Sequence, residues 1–217
     1  MRKAVGRSGW TGGWTLALVG LILVASPPVA AQAPGHFAQG ENGVVTQASV
    51  SAAMGRCLVD RDRDGAIALV EARGEQAQRS AVDRIKPDMI ACLRGRPSAT
   101  VDRLHVAGAV AERLLNDGGG QLLDRVAALP TVSPVRVAAG ERAGDAALAC
   151  AVRADPADAA GLLRAPAESA SEAAAFRQLA PSLQACVPST GAVTIKSFAI
   201  RALVAIAAYR AVAGDHA

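Results

Sequence analysis

The segment DRDRDGAIALVE, residues 60–71, carries the densest group of potential metal ligands in this 217-residue chain. It fits the EF-hand calcium-loop pattern D-x-[DN]-x-[DN]-G-x5-E. In that pattern Gly65 allows the sharp turn and the carboxylates come from Asp60, Asp62, Asp64 and Glu71. Calcium is a hard cation that takes roughly six to eight oxygen ligands, so these residue types suit it. The pattern alone therefore predicts a calcium site.

Four cysteines divide the chain into two similar halves. Cys57 and Cys92 have nearly the same separation as Cys150 and Cys186, and the flanking residues also match. The sequence CLVDRD aligns with CAVRAD, and PDMIAC aligns with PSLQAC. The period of about 93 residues is too long for a solenoid repeat. It indicates a duplicated helical module.

Apolar residues recur at helical spacing in each half of the chain. One face of the predicted first helix consists of Val50, Ala53, Met54, Cys57 and Leu58. A second helical region covers about 63–93, with breaks at Gly74 and near Pro87, where the proline starts a short cysteine-bearing helix. The third helices are expected at 102–116 and 195–212. The last of these is apolar nearly all round, which is typical of a central core helix rather than a membrane-bound one.

These patterns predict an all-α protein of two related three-helix modules, each with an internal disulfide. The parsimonious pairing is Cys57–Cys92 and Cys150–Cys186. Each bond should contribute about 3–4 kcal/mol, which matters because alanine-rich helices bury little area per residue. The expected boundaries are 1–31 for a signal peptide, 32–44 for a flexible N-terminus, 45–118 for module 1, 119–142 for a linker and 143–217 for module 2.

The second module favours a different interpretation of residues 60–71. Its equivalent segment, RADPADAAGLLR at 153–164, keeps only one of the acidic ligands, Asp155, in the place of Asp62. An aspartate followed by proline is typical of a helix start, with the aspartate as N-cap. If the modules share a backbone, Asp62 caps a helix that begins near residue 63. We favour this capping turn, and the calcium site stays an open alternative because Gly65 is unfavourable early in a helix.

The N-terminal segment predicts export. Basic residues precede an apolar run at 16–24, and Val29-Ala30-Ala31 offers a cleavage site that would leave Gln32 first. The run has about half the ~20 residues that a spanning helix needs. Four cysteines also suit an oxidising compartment. We therefore expect a periplasmic or secreted protein without a transmembrane anchor after cleavage.

The charge of the chain argues against a nucleic-acid partner. The formal net charge is +4, and segment 1–31 holds three basic residues and no acids, so its removal leaves +1. Both tryptophans lie in that segment as well. The remaining aromatic residues are too few to form base-stacking platforms. We expect no nucleic-acid binding.

No catalytic arrangement is recognisable in the sequence. His105 near a helix start is expected at the surface, and no G-x-S-x-G motif is present. Glu168 and Glu172 are expected to lie four residues apart on a solvated helix face. We predict no enzyme, no catalytic residues and no cofactor apart from the calcium alternative. A polar cleft between the modules would favour an enzyme, whereas an exposed apolar patch would favour a protein partner.

The motifs CAVRADP at 150–156, LAPSLQAC at 179–186 and Tyr209-Arg210 resemble a group of uncharacterised small exported proteins from sphingomonad-type bacteria. The resemblance covers most of the mature chain. It implies the twin-module architecture and the compartment but no mechanism. The expected function is a structural or interaction role in the cell envelope, with an unidentified envelope protein as partner. The alternative is calcium binding through residues 60–71.

Overall fold

A computed structural model describes residues 46–93, 102–136, 143–187 and 197–213. Within these ranges the chain forms eight helices and no strand, so the predicted all-α class is confirmed. The helices are α1 (Gln47–Arg61), α2 (Arg63–Glu71), α3 (Glu75–Leu93), α4 (Arg103–Ala127), α5 (Ala143–Ala154), α6 (Pro156–Arg164), α7 (Ala170–Cys186) and α8 (Ser197–Ala213). None of them has the length and apolar character needed to cross a bilayer. The predicted signal peptide (1–31) and N-terminus (32–44) lie outside the described residues.

Both predicted disulfides are confirmed. Cys57 of α1 is bonded to Cys92 of α3, with 5.9 Å between their Cα atoms. Cys150 of α5 is bonded to Cys186 of α7, with a Cα separation of 5.8 Å. Each bond therefore ties the first helix of a half to the C-terminal end of its third helix.

The second helical region of each half consists of two helices. Helix α2 ends at Glu71, and α3 begins at Glu75 after Gly74, whose φ of 81° favours glycine. In the second half α6 ends at Arg164 and α7 begins at Ala170. Each half thus contributes four helices, in the same order.

The expectation that Pro87 begins a separate short helix is wrong. Helix α3 continues through Pro87, and α7 continues through Pro181. A proline inside a helix leaves the carbonyl four residues earlier without its hydrogen bond. Those carbonyls belong to Asp83 and Arg177, which are exposed, as are both prolines. Water can satisfy the freed carbonyls, so the helices tolerate the prolines.

The helices of the two halves share one main core, with α4 packed against α8 at its centre. The same helix pairs meet in each half: α1 contacts α4 as α5 contacts α8, and α2 contacts α3 as α6 contacts α7. Across the halves, α4 contacts α6 as α8 contacts α2. The contact pattern is therefore unchanged when the halves are exchanged. This is the pattern that a duplicated module with pseudo-two-fold packing produces.

Helix α8 is the central core helix that its all-round apolar sequence predicts. Val204, Ala205 and Ala208 have no exposed surface. Its partner α4 is interrupted at Asp117–Gly120, where three consecutive glycines have φ values of 61°, 77° and 86°. Side chains are strained at positive φ, so glycine suits this break. After it, residues 121–127 form a further short helix before Pro130.

Small residues allow α4 and α8 to approach closely. A Cβ atom added to Gly108 of α4 would lie 2.5 Å from the Cα of Ala202 on α8. Similarly, a Cβ on Gly55 of α1 would lie 2.5 Å from the carbonyl oxygen of Ala109 on α4. Close backbone approach brings many atoms into dispersion contact, which partly offsets the scarcity of large side chains.

The substitution Gly108→Ala should lower the free energy of unfolding by about 1–3 kcal/mol, because the added methyl group forces α4 and α8 apart. Gly161→Ala is the matched control, since Gly161 is also helical and its added Cβ would meet no atom within 4 Å. That change should instead stabilise the protein by about 0.5–1 kcal/mol. Urea unfolding followed by circular dichroism measures both variants. Equal effects of the same sign would contradict tight packing at Gly108.

Candidate functional site

A cleft of about 450 Å³ lies between α1, α4 and the start of α7. We call it the polar cleft. Its principal polar lining residues are Ser51, Arg56, His105, Glu112, Arg113, Glu168, Glu172 and Arg201. The first five belong to the first half of the chain and the last three to the second half. The volume falls within the usual range of ligand pockets, about 300–1,000 Å³.

Arg201 of α8 is the most extensively bonded side chain of the polar cleft, and the residue is only 8% exposed. Its Nε and Nη2 atoms donate to the two carboxylate oxygens of Glu112 on α4, each at 2.9 Å. Its Nη1 atom donates to Oε1 of Glu172 on α7 at 3.0 Å. One guanidinium group therefore joins three helices.

Arg201 also caps the C-terminal end of α6. Nη1 donates to the carbonyl oxygens of Leu162 and Ala165 at 3.0 Å, and Nη2 donates to that of Leu163 at 3.2 Å. The last carbonyls of a helix have no partner within it, and a cation there also interacts favourably with the helix dipole. Burial by itself would lower the pKa of Arg201. The hydrogen bonds and charges of the two glutamates outweigh this and raise its pKa, so the group stays charged.

A second arginine of α8 makes the equivalent contact with the first half. Arg210 donates from Nε to the carbonyl oxygen of Val70 and from Nη2 to that of Ala72, both at 2.8 Å. The alignment that places Cys57 on Cys150 places these two carbonyls on those of Leu163 and Ala165. Helix α8 thus uses Arg210 to cap α2, while Arg201 caps α6.

Two polar atoms in the walls of the polar cleft are buried without a hydrogen-bond partner among the described residues. They are Oγ of Ser51, a residue that is 7% exposed, and Nε of Arg113. The other two nitrogens of Arg113 face Asp117 at 2.6 Å and Asp60 at 3.5 Å. An unsatisfied buried polar group costs about 1–3 kcal/mol. Both atoms lie beneath the surface of the cleft, because neither is accessible to solvent.

Two residues of the polar cleft lie elsewhere than the sequence predicts. The His105 side chain is 13% exposed rather than at the surface, with Nδ1 3.6 Å from Oδ2 of Asp102. The Glu172 side chain is 19% exposed and paired with Arg201, rather than solvated. The sequence does contain a signal for this site. Arg201 interrupts an apolar helix, and a buried charge requires opposite charges nearby.

Residues 60–71 form the end of α1, a capping turn and α2. Asp62 is the N-cap of α2, and its Oδ1 accepts a hydrogen bond from the Gly65 N–H at 2.9 Å. This is the geometry that the capping interpretation predicts. A Cβ atom on Gly65 would overlap the Asp62 carboxylate. Glycine therefore leaves room for the Asp62 carboxylate in this position, which accounts for its presence early in the helix.

The structure does not bring the four acidic residues of the calcium pattern together. Asp60 lies in α1 beside Arg113, Asp64 lies in the first turn of α2, and Glu71 is the last residue of α2. Within the described ranges no group of three or more His, Cys, Asp or Glu residues could hold a metal ion. Calcium binding by these residues would require α2 to unwind. It stays an alternative that a titration can test.

The arginines interleaved with these aspartates have more distant partners than the sequence suggests. Nε of Arg61 donates to Oδ1 of Asp88 on α3 at 3.0 Å, and Arg63 pairs with Asp117 of α4. Two of the four predicted calcium ligands have other roles: Asp62 caps α2, and Asp60 faces Arg113. The charges of this segment thus connect α1 and α2 to neighbouring helices.

The polar cleft has the charged character that we expected of an enzyme, but two of its three carboxylates, Glu112 and Glu172, are occupied. Both oxygens of Glu112 accept bonds from Arg201, and Glu172 accepts bonds from Arg201 and from the Glu168 N–H. A general acid or base needs a carboxylate that is free to exchange a proton with the substrate. Ser51 lies inside α1, where backbone N–H groups are used within the helix and cannot stabilise an oxyanion. Glu112 and Glu172 are therefore committed to Arg201.

Comparisons with protein-family models, with curated proteins and with solved structures find no match to this chain. The resemblance to exported proteins of sphingomonad-type bacteria therefore stays a prediction. The function has to be inferred from the geometry and charge of the site itself.

Replacing Arg201 with methionine should lower the free energy of unfolding by about 3–5 kcal/mol, because Glu112 and Glu172 would lose their shared buried partner. Arg164→Met is the matched control, since Arg164 pairs with Asp124 at the surface, where the loss should be about 0–1 kcal/mol. Urea unfolding measures both. Adding Glu112→Gln and Glu172→Gln to Arg201→Met should restore part of the lost stability. Similar small losses in Arg201→Met and Arg164→Met would contradict the proposed central role of Arg201.

Replacing Asp62 with alanine should lower the free energy of unfolding, measured by urea unfolding, by about 1 kcal/mol through loss of the α2 cap.

Calcium at millimolar concentration should produce no binding heat in a calorimetric titration, and it should not stabilise the wild-type protein. Saturable binding that is abolished by Glu71→Gln would instead support the calcium alternative.

Proposed function

We propose that this protein is an exported, non-enzymatic binding protein whose polar cleft takes a small zwitterionic ligand. The observation that carries this proposal is a pair of exposed, oppositely charged side chains in the cleft, Arg56 and Glu168, that form no ion pair with a described residue. A ligand that carries a group of each charge would supply a partner to both side chains.

The charged side chains of the cleft that form no ion pair with a described residue indicate the ligand class. Glu112 and Glu172 are occupied by Arg201. Arg56 on α1 is exposed and forms no ion pair with a described residue, and the exposed Glu168 carboxylate is likewise free of an ion pair. A guanidinium group favours a carboxylate, and a carboxylate favours an ammonium group. A molecule that carries both charges, such as a dipeptide, therefore complements this cleft.

The architecture supports a preorganised binding site. Arg201 fixes α4, α7 and the end of α6 relative to α8, so the cleft walls are held before a ligand arrives. Preorganisation strengthens binding because less conformational freedom is lost when the ligand is bound. The two disulfides are compatible with an extracellular, oxidising compartment, in agreement with the predicted export signal.

A protein partner in the envelope has weaker support. The large apolar side chains that are exposed in the described ranges are Ile90, Val132 and Val135. They belong to α3 and to the extended segment after α4, and scattered exposed apolar residues are normal on a protein surface. The polar cleft is a better-defined feature than these residues, so a small ligand is the preferred proposal.

Titration calorimetry of the disulfide-intact protein with alanyl-alanine tests this function. Saturable binding at one site per chain is expected, and a peptide blocked at both ends should bind at least about tenfold more weakly because it lacks both charges. The variant Arg56→Gln/Glu168→Gln should show a similar loss. The control Asp83→Asn/Arg84→Gln makes equivalent charge changes at exposed positions of α3 outside the cleft.

Normal binding is expected in that control. If alanyl-alanine gives no saturable heat at millimolar concentration, or binds the Arg56→Gln/Glu168→Gln variant as tightly as the wild type, the zwitterion proposal is wrong. Both cleft residues are exposed, so their substitution should leave the fold intact, which circular dichroism can verify.

A further inference from the structure

The duplication produces a second cleft at the place equivalent to the polar cleft. It has a volume of about 310 Å³ and lies between α5, α8 and Arg73, in the loop that follows α2. The alignment of Cys57 with Cys150 places Ala52 and Arg56 of the polar cleft on Asp145 and Ala149 of this one. We call it the basic cleft.

Three arginines and one aspartate line the basic cleft. Arg73 and Arg153 are exposed and form no ion pair with any described residue. Arg210 is anchored by the carbonyl oxygens of Val70 and Ala72, and its Nη1 atom is 3.7 Å from Oδ2 of Asp145. The cleft therefore has an excess of positive charge that its own aspartate does not neutralise.

The environment of Arg210 reflects this imbalance. Burial lowers its pKa most and the charge of Arg73 lowers it further, whereas Asp145 and Glu71 raise it without fully compensating. Mutual repulsion between guanidinium groups in a partly buried cleft is relieved when an anion binds among them. The electrostatics thus agree with the geometry of the cleft.

The wall beneath these charges is aliphatic. Leu148 is 5% exposed, Ile206 is 8% exposed, and Leu203 is partly buried beside them. The alignment of Val101 with Ile195 places Glu112 of the polar cleft on Ile206 and Arg113 on Ala207. Where the polar cleft has its buried ion pairs, the basic cleft has an apolar surface. A purely ionic ligand would leave this surface unused.

We propose that the basic cleft is a second binding site, which takes a small aliphatic carboxylate. The carboxylate group binds at Arg73 and Arg153, near Arg210, and the alkyl chain lies on Leu203 and Ile206. Charge complementarity selects the anion, and burial of the alkyl chain adds about 0.8 kcal/mol for each methylene group removed from water. This inference is independent of the ligand of the polar cleft.

Titration calorimetry with octanoate tests the second site. One saturable site per chain is expected, with acetate and inorganic phosphate each binding at least about tenfold more weakly because they lack the alkyl chain. The variant Arg73→Gln/Arg153→Gln should also bind octanoate at least about tenfold more weakly. Arg210 is left intact in this variant because it caps α2.

The matched control is Arg84→Gln/Arg177→Gln, which removes the same charge from exposed positions outside both clefts. It should bind octanoate like the wild type. Equal losses in both variants would show a non-specific charge effect and overturn the proposal. Absence of binding at millimolar octanoate, or phosphate binding as tight as octanoate binding, would also overturn it. Alanyl-alanine binding in the Arg73→Gln/Arg153→Gln variant reports separately on the polar cleft.

Discussion

The arrangement of helices depends on a charge in the core. Arg201 lies on an otherwise apolar central helix, and an unpaired charge at such a depth would be strongly destabilising. Its five nitrogen-bound hydrogens reach two glutamates and the end of α6, which fixes the positions of α4, α6 and α7 relative to α8. The same bonds form the floor of the polar cleft. The constraint that orders the fold therefore also shapes its principal cavity.

The remaining stabilisation comes from features that suit alanine-rich helices. Alanine buries little apolar area, so close approach at Gly55 and Gly108 and the covalent ties of the two disulfides take on greater importance. Each disulfide joins helices that are separated along the chain by other elements, so each limits the unfolded ensemble of its own half. The two halves then meet through one shared core around α4 and α8.

Features that follow from residue spacing, apolar composition or the alignment of the two halves could be predicted from the sequence. The cysteine repeat predicted the disulfide pairing, and the apolar sequence of α8 predicted its central position. The alignment of Asp62 with Asp155, which precedes a proline, predicted that Asp62 is an N-cap. The continuation of helices through the prolines and the burial of Glu172 could not be predicted, because they depend on which face meets solvent and which meets another helix. Residue spacing within one helix carries no information about a partner that is distant in the sequence.

The repeated framework of helices and disulfides carries two clefts with different electrostatics. The backbone is held by anchors that both halves share: a disulfide in each half, and a C-terminal cap from α8 on each of α2 and α6. Exposed cleft residues such as Arg56 and Ala149 make none of these anchoring contacts, so their side chains can change without loss of the fold. Arg56 of the polar cleft is equivalent to Ala149 of the basic cleft, and Glu112 of the polar cleft is equivalent to Ile206 of the basic cleft. Wall positions that carry no anchor thus allow the two clefts to differ in charge.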